Sequence, residues 1–308
     1  MPQAPAGSAN PQWAFFAFMR SEAASRAHDR AKSWMESNAA KQSLLYVSNG
    51  GGDDVGVYRL PGGKAVGELT GFNAPTGTCS DQSGDVWVVD SGVSEVVEYA
   101  HGGKKPEAKL ADSGALNLMG CAVDPTTGNL AVADLGGPSG GGNVVIYVGA
   151  KGSPTEYTAS QLQFAYFCAY DDKGNLFIDG LNGSGQFLFF ELPSGSTTLE
   201  AITLDQSVNF PGGVAWDGRY VAVGDQSYGG EHKSAIYRFS ISGSSGTLEG
   251  TTVLTGSCDV LDFAVGSTAV AAPDACQNTV SFYDYPAGGS PTKTLTGFQY
   301  PVSVAVSR

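Results

Sequence analysis

A repeat dominates this chain and limits the folds it can adopt. Six β-like runs, each ending at or next to a polar residue, recur along it: LLYVSN (44–49), DVWVVD (85–90), NLAVAD (129–134), NLFIDG (175–180), RYVAVGD (219–225) and TAVAAPD (268–274). Each is followed by a run with an aromatic residue, in order Tyr58, Tyr99, Tyr147, Phe190, Tyr237 and Tyr283. Successive aromatics lie 41, 48, 43, 47 and 46 residues apart. This period is typical of a four-stranded β-propeller blade.

A second set of runs, rich in small residues, precedes the first: GTCSD (77–81), GCAVD (120–124), FCAYD (167–171), GVAWD (213–217), DFAVG (262–266) and SVAVS (303–307). Small residues suit the innermost strands, which crowd around the axis of a propeller. The chain enters the repeat at a second strand and ends on an inner strand, YPVSVAVSR (300–308). The sequence therefore predicts an all-β fold, a six-bladed β-propeller over residues 44–308, closed by the C-terminal inner strand without an open edge.

The turns between inner and second strands carry hairpin signals. Examples are DQSGD (81–85), DPTTGN (124–129) and DDKGN (171–175), with Asp at the start and Gly near the end. These signals predict four turn-forming carboxylates: Asp81, Asp124, Asp171 and Asp217.

Residues 1–43 precede the repeat and are predicted to form an N-terminal helical extension. Asn10-Pro11 has the pattern of a helix N-cap and first turn. The stretch that follows, up to Ala40, contains no Gly or Pro, which favours a helix over about 11–38. The extension carries several large apolar residues: Trp13, Phe15, Phe16, Phe18, Trp34 and Met35. It can dock on the propeller, form a homodimer contact or act as a hydrophobic plug.

The net charge of −13 excludes one class of partner. An acidic surface repels phosphate backbones, so we expect no nucleic-acid binding and a preference for cations or basic ligands. No stretch reaches the ~18 apolar residues of a membrane span, so we expect no transmembrane segment. We expect a secreted or periplasmic mature chain, with a cytoplasmic location as the alternative.

Five cysteines occur without a CxxC pair, which leaves a structural zinc site unsupported. Cys121 and Cys168 fall in predicted inner strands and are expected to be free, buried, apolar residues. Cys258 and Cys276 fall in loops predicted to share one rim. They can be two thiols or a disulfide, and a disulfide would indicate an oxidising compartment.

The sequence places the candidate site over the channel, on the face where loops leave second strands and enter inner strands. Polar residues follow the second strands: Asn49, Asp53, Asp54, Asp90, Asp134, Asp179, Asp225 and Asp274. Others precede the inner strands, without an evident turn role: Asn73, Asn117, Asn209, Asp259 and Gln299. Such oxygens suit Ca²⁺ or another divalent cation, although an Asp at a strand end also caps turns.

One long loop on that face, DQSYGGEHK (225–233), adds further candidates. Glu231 and His232 could act as general acid and base, or could simply be exposed. Asn73, Asn117, Asp225 and Tyr228 are candidate ligand-binding residues. No nucleophile elbow, HExxH motif or phosphate-cradling loop occurs.

The repeat phrases CAVDPTTGNLAVAD (121–134) and CAYDDKGNLFIDG (168–180) resemble the NHL and gluconolactonase-like propeller superfamily, which includes senescence-marker proteins and streptogramin lyases. Whole-chain phrases such as NFPGGVAWDGRYVAVGD (209–225) are similar to uncharacterised bacterial propellers. The lactonase resemblance implies a divalent cation in the channel, held by Asn209 with Asp259 or Asp262. The family's Glu is missing, because the first blade's inner strand reads YPVSVAVS. The lyase resemblance points to Glu231 and His232, by residue type only.

Three functions are therefore open. The first is a binding propeller whose acidic, Asp- and Asn-rich rim recognises a small molecule, carbohydrate or peptide. The second is a divalent-metal-dependent hydrolase or lyase. The third is a scaffold that assembles through the N-terminal helix. We favour the first because no catalytic set is complete.

Overall fold

The computed structural model describes residues 32–137 and 141–308. It is an all-β, six-bladed propeller, as the repeat predicted. The strands of the first three blades are β1 (Trp34–Met35), β2 (Leu44–Asn49), β3 (Asp54–Arg59) and β4 (Lys64–Thr70); β5 (Pro75–Ser80), β6 (Val86–Asp90), β7 (Glu95–Tyr99) and β8 (Pro106–Ala111); and β9 (Leu118–Val123), β10 (Leu130–Asp134), β11 (Asn143–Tyr147) and β12 (Thr155–Tyr157).

The other three blades continue in chain order. The strands are β13 (Phe164–Tyr170), β14 (Leu176–Leu181), β15 (Phe187–Leu192) and β16 (Glu200–Ala201); β17 (Thr203–Leu204), β18 (Pro211–Trp216), β19 (Val221–Asp225), β20 (Ser234–Ser242) and β21 (Ser245–Leu254); and β22 (Ala264–Val265), β23 (Ala269–Asp274), β24 (Thr279–Asp284) and β25 (Lys293–Thr296), followed by β26 (Pro301–Ser307). Short 3₁₀ helices span Ala39–Lys41, Ser91–Val93, Val148–Ala150 and Tyr228–Gly230.

The two ends of the repeat close the ring in the first blade. There β26 is the innermost strand and pairs antiparallel with β2, from Leu44 opposite Ser307 to Asn49 opposite Pro301. This confirms the predicted closure. The strand order of the blade is β1-β4-β3-β2-β26, so the hydrogen bonds of one sheet join the start and end of the repeat.

The predicted N-terminal helix is wrong over 32–38. Trp34 and Met35 pair with Glu68 and Gly67 and add a fifth strand to the outer edge of the first blade. The free edge of β4 offers backbone partners to this segment, and tertiary pairing of this kind overrides helix propensity. The rest of the predicted helix, 11–31, lies outside the described residues, and a domain boundary at residue 43 stays a prediction. No helix in the part of the chain that the structure describes is long and apolar enough to span a membrane.

The core lies between neighbouring blades. Alternate side chains of a strand point to opposite faces of its sheet, and both faces of an inner blade strand are covered. The contact between the first two blades is an example, with Leu44 and Val55 packed in one cluster with Val86 and Val97. Similar clusters fill the other interfaces. The innermost strands are therefore held rigidly around the axis.

Two disulfides add covalent links. Cys79 of β5 bonds to Cys121 of β9, with the Cα atoms 5.7 Å apart, and Cys258 bonds to Cys276 across 5.9 Å. The prediction of Cys121 as a free thiol is wrong. Its partner lies one blade earlier, 42 residues away in sequence, where adjacent inner strands pack side by side. Cys168 is a buried free thiol, and burial raises its pKa.

Candidate functional site

We name the two faces of the ring by their loops. The turn face carries the hairpins between inner and second strands, such as 81–85 and 124–129. The entry face carries the loops that leave second strands and those that enter inner strands. The sequence placed the candidate site on the entry face. The structure opens the central channel on the turn face instead.

An apolar plug closes the channel toward the entry face. Met119, Tyr166, Phe210, Leu261 and Val302 belong to one packed cluster. They come from five different blades, at or just before the inner strands, and such residues meet only around the axis. The rings of Tyr166 and Phe210 contact edge to face, with centroids 5.7 Å apart. The plug leaves access to the axis from the turn face.

Between the plug and the turn face lies a cavity of about 590 Å³, lined by the halves of all six inner strands that are nearer the turn face. Its wall includes Thr78, Gly120, Phe167, Val214 and Val304. Its mouth is formed by the hairpins that hold Asp81 and Asp124. The volume lies within the ~300–1,000 Å³ typical of small-molecule sites.

Asp262 stands at the closed end of this cavity. One carboxylate oxygen accepts a hydrogen bond from Ser303 Oγ at 2.6 Å, and the other accepts the Phe263 N–H at 2.8 Å. Ser303 in turn lies 3.0 Å from Thr78 Oγ1 and accepts the Thr78 N–H at 2.9 Å. The network therefore joins the sixth, first and second blades at one height.

The chain makes room for this carboxylate next to a glycine. A Cβ on Gly213 of β18 would collide with Asp262 Oδ1. The GG of the fifth blade, which looks like ordinary repeat sequence, thus accommodates the acid of the sixth blade.

Burial raises the pKa of Asp262 to about 7, against the lowering effect of its two hydrogen bonds. Asp179 of β14 is fully buried, and burial, with Asp262 nearby, raises its pKa well above the ordinary value. Asp179 Oδ1 accepts the Phe167 N–H at 2.8 Å, and Oδ2 has no hydrogen-bond partner. Charge at the closed end is therefore variable near neutral pH.

The mouth carries two of the four predicted turn-forming carboxylates, Asp81 and Asp124. Asp81 Oδ1 accepts the N–H groups of Ser83 and Asp85, which confirms its turn role. Asp124 accepts hydrogen bonds from Thr126 and Thr127. Burial alone would raise the pKa of Asp124, but these bonds outweigh it and lower the pKa, so this carboxylate is charged at neutral pH. Asp171 and Asp217 close their own turns in the same way.

The polar residues of the entry face brace its loops. In each blade a side chain from the end of the second strand accepts a backbone N–H from the same blade. The donor lies in the segment leading into the inner strand, except in the fourth blade, where Phe167 lies within that strand. The donor and acceptor pairs are Gln299 to Asn49, Asn73 to Asp90, Asn117 to Asp134, Phe167 to Asp179, Asn209 to Asp225 and Cys258 to Asp274. Asp53 similarly accepts the Ala74 N–H. These bonds use backbone N–H groups of the residues before the inner strands, and the side chains of Asn117 and Asn209 donate as well, to Gly136 and Asp225.

The candidate ligand-binding residues on this face are occupied in the same network. Asn117 Nδ2 donates to the Gly136 carbonyl at 2.8 Å. Asp225 also accepts the N–H groups of Phe210 and Ser227, and the Tyr228 ring packs 6.2 Å from that of Tyr237. Asn73 differs from the other three candidates, because its side-chain oxygen is buried without a hydrogen bond.

The three candidate metal ligands are not gathered around one point of the cavity. Of Asn209, Asp259 and Asp262, only Asp262 lines it. Asn209 Nδ2 donates to Asp225 at 3.1 Å. Asp259 lies near Asp274 and His232, and burial raises its pKa to about 6.

The candidate acid–base pair lies outside the cavity as well. Glu231 is exposed and forms an ion pair with Lys233 at 2.5 Å, which lowers the pKa of the Glu231 carboxyl. His232 is exposed in the same loop. Elsewhere on the entry face, Cys258, Asp274 and Cys276 bring ligand atoms within 4.8 Å of one another. Because the two sulfurs are bonded to each other, that cluster offers a cation only the Asp274 carboxylate.

Sequence reasoning missed Thr78 and Trp216 of the cavity wall, and it missed Ser303, the buried residue whose hydroxyl donates to Asp262. The signal was present in the inner-strand runs, where Asp262 and Ser303 stand at the position held by glycine in three other blades. The repeat does not require a polar residue at this position, so a polar residue there indicates a role other than forming the blade. Trp216 also lines the cavity, and its indole N–H is buried without a hydrogen-bond partner.

Comparisons with known proteins agree with this architecture. A family model described as the NHL repeat matches residues 72–99, which cover β5 to β7. No curated protein sequence matches the chain. A chain from the crystal structure of a nidogen/laminin complex is similar at a TM-score of 0.70 and 12% identity, over 86% of this chain and 98% of that one. A protein of unknown function from Bacteroides caccae is similar at a TM-score of 0.64 and 13% identity, over 87% and 99% of the two chains. The chain is therefore a six-bladed β-propeller that contains a match to the NHL repeat in its second blade.

Proposed function

We propose that this protein is a binding propeller that takes a small molecule into its central cavity from the turn face. The observation that carries the proposal is the cavity itself, about 590 Å³ in volume, lined by all six inner strands and closed by the apolar plug. A concave site with mostly apolar walls and a few convergent polar groups is the usual form of a ligand pocket. The site replaces the entry-face rim as the expected binding surface.

Rigidity supports the same conclusion. The inner strands are fixed by the packed blade interfaces, and Cys79–Cys121 links two of them in the cavity wall. A preformed site avoids the entropic cost of ordering its walls when a ligand binds. The polar residues of the lining best placed to contact the ligand are Asp262, Thr78 and Trp216, and the buried Ser303 holds Asp262 in position.

A thermal-shift screen with a cavity-blocking variant tests the proposal. Val306 and Val265 line the cavity and are half-buried, so Val306→Trp or Val265→Trp places an indole in the space. Val148 is 70% exposed outside the cavity, so Val148→Trp is the matched control. The screen should contain cationic, anionic and neutral small molecules in equal number.

We expect at least one chemical class to raise the melting temperature of the wild type and of Val148→Trp but not of the blocked variants. A ligand at a hundred times its dissociation constant stabilises by about 2.7 kcal/mol, which is readily measured as a melting shift. If no class acts, or if blocked variants respond as the wild type does, the cavity is not a binding site. Two blocking positions guard against one variant that fails to fold.

A further inference from the structure

We propose that the ligand of the central cavity is a linear polyamine, a flexible chain with an ammonium group at each end. This inference rests on the proposed function and specifies the ligand. The placement of charge along the cavity, the distance between its two acidic ends and the character of the wall between them support it.

The charged side chains among the described lining residues are all acidic. Three carboxylates line the cavity, Asp262 at the closed end and Asp81 and Asp124 at the mouth. Among the described lining residues there is no Lys, Arg or His. Asp262 receives hydrogen bonds only from neutral donors, the Ser303 hydroxyl and the Phe263 N–H. An ammonium group at this end would supply a charge-assisted hydrogen bond, which is roughly twice as strong as a neutral one.

The two acidic ends are separated along the axis by a definable distance. In the repeat, Asp262 occupies the first position of its inner-strand run, whereas Asp81 and Asp124 occupy the fifth position of theirs. Equivalent positions of the blades lie at the same height around the axis. Four residues of extended strand span ~13 Å, so a ligand that meets both ends needs cationic groups on the order of 13 Å apart. An extended spermidine is slightly shorter than this distance and an extended spermine slightly longer, whereas putrescine is about half as long.

The wall between the ends suits a chain of methylene groups. Ala122, Ala169, Val214 and Val304 line this part of the cavity and present apolar surface. The innermost strand of each blade is also the edge of its sheet, so backbone carbonyls border the channel. They can accept hydrogen bonds from an ammonium group within the chain of a polyamine.

A single metal ion fits the same features less well. Ca²⁺ takes 6–8 oxygen ligands at ~2.3–2.6 Å, whereas the side chains of the closed end offer the carboxylate of Asp262 and the hydroxyl of Thr78. One ion would also leave most of the volume unfilled.

Isothermal titration calorimetry of the whole chain with spermidine, spermine, putrescine, butylamine and Ca²⁺ tests the inference at low and at physiological ionic strength. The test variant is Asp262→Asn, which keeps the size of the side chain and removes its charge. The control is Asp172→Asn, because Asp172 is exposed beside the mouth hairpins and outside the cavity lining. Val306→Trp blocks the cavity.

We expect spermidine and spermine to bind one per chain and more tightly than putrescine, with butylamine weakest. Asp262→Asn should weaken spermidine binding by about tenfold or more, as loss of one charge-assisted bond implies. Val306→Trp should abolish binding, and Asp172→Asn should stay within about twofold of the wild type.

Three results would overturn the inference. Spermidine binding that survives both Asp262→Asn and Val306→Trp would be nonspecific attraction to an acidic surface. Ca²⁺ binding that is lost in Asp262→Asn, without polyamine binding, would identify a metal site. Cavity-dependent binding of neutral or anionic molecules alone would refute the polyamine while the proposed binding function stands.

Discussion

Ionisation of Asp262 should make the stability of this protein fall as the pH rises. Its pKa of about 7 in the folded chain lies above the ordinary value of 3.8. Between these two pKa values the unfolded state has released the proton and the folded state still holds it. The stability that this carboxyl contributes is therefore greatest at low pH and is lost as the pH rises through 7. For one carboxyl, the loss between about pH 5 and pH 8 is on the order of 2–3 kcal/mol. Water reaches this half-buried side chain through the cavity, so about 2 kcal/mol is the more realistic expectation.

Urea unfolding at these two pH values measures the effect, with wild type, Asp262→Asn and Asp172→Asn compared at constant ionic strength. Asp90 and Asp179 also have raised pKa values through burial, so the wild type carries a background pH dependence. The informative quantity is the difference between proteins. Asp262→Asn should lose about 2 kcal/mol less than the wild type as the pH rises, and Asp172→Asn should follow the wild type. Equal losses in the wild type and Asp262→Asn would refute the raised pKa of Asp262.

Three further predictions concern the scaffold. Replacing both Cys79 and Cys121 by Ala should lower the free energy of unfolding by about 4 kcal/mol, because their separation of 42 residues closes a long loop in the unfolded chain; equal stability in oxidised and reduced wild type would contradict this. Asp225→Ala should cost about 3 kcal/mol in chemical denaturation, since its carboxylate accepts N–H groups from both loops of the fifth blade, whereas the exposed Asp284→Ala should cost under ~0.5 kcal/mol. A chain ending at residue 299 lacks β26 and should lose its cooperative thermal transition, while a transition like that of the wild type would show that ring closure is dispensable.

The two faces of the ring have different roles. On the entry face, carboxylates and amides form hydrogen bonds that hold the loops, such as those that Asp225 accepts from the N–H groups of Asn209 and Phe210. On the turn face, Asp81 and Asp124 also close turns, but their charge remains at the mouth of an open cavity. A side chain can thus serve the fold and shape the field around a ligand at once.

The repeat by itself determined the architecture. Strand alternation, hairpin Asp and Gly signals and the phase of the two chain ends are local or periodic features, so counting them yields six blades and the pairing of β26 with β2. The turn roles of Asp81 and Asp171 follow from sequence for the same reason, because each bonds within its own hairpin.

Only the tertiary structure decided which end of the channel is open, which cysteine meets Cys79 and where Trp34 lies. Each depends on contacts between parts of the chain that are far apart in sequence. The plug forms because Met119, Tyr166 and Val302, from three blades, fill the axis together, and no single repeat reveals that sum of volumes. Asp262 likewise acquires its raised pKa from burial against the first and fifth blades. The periodic part of the sequence specifies the ring. The residues that break the repeat, and the way they pack, specify the site.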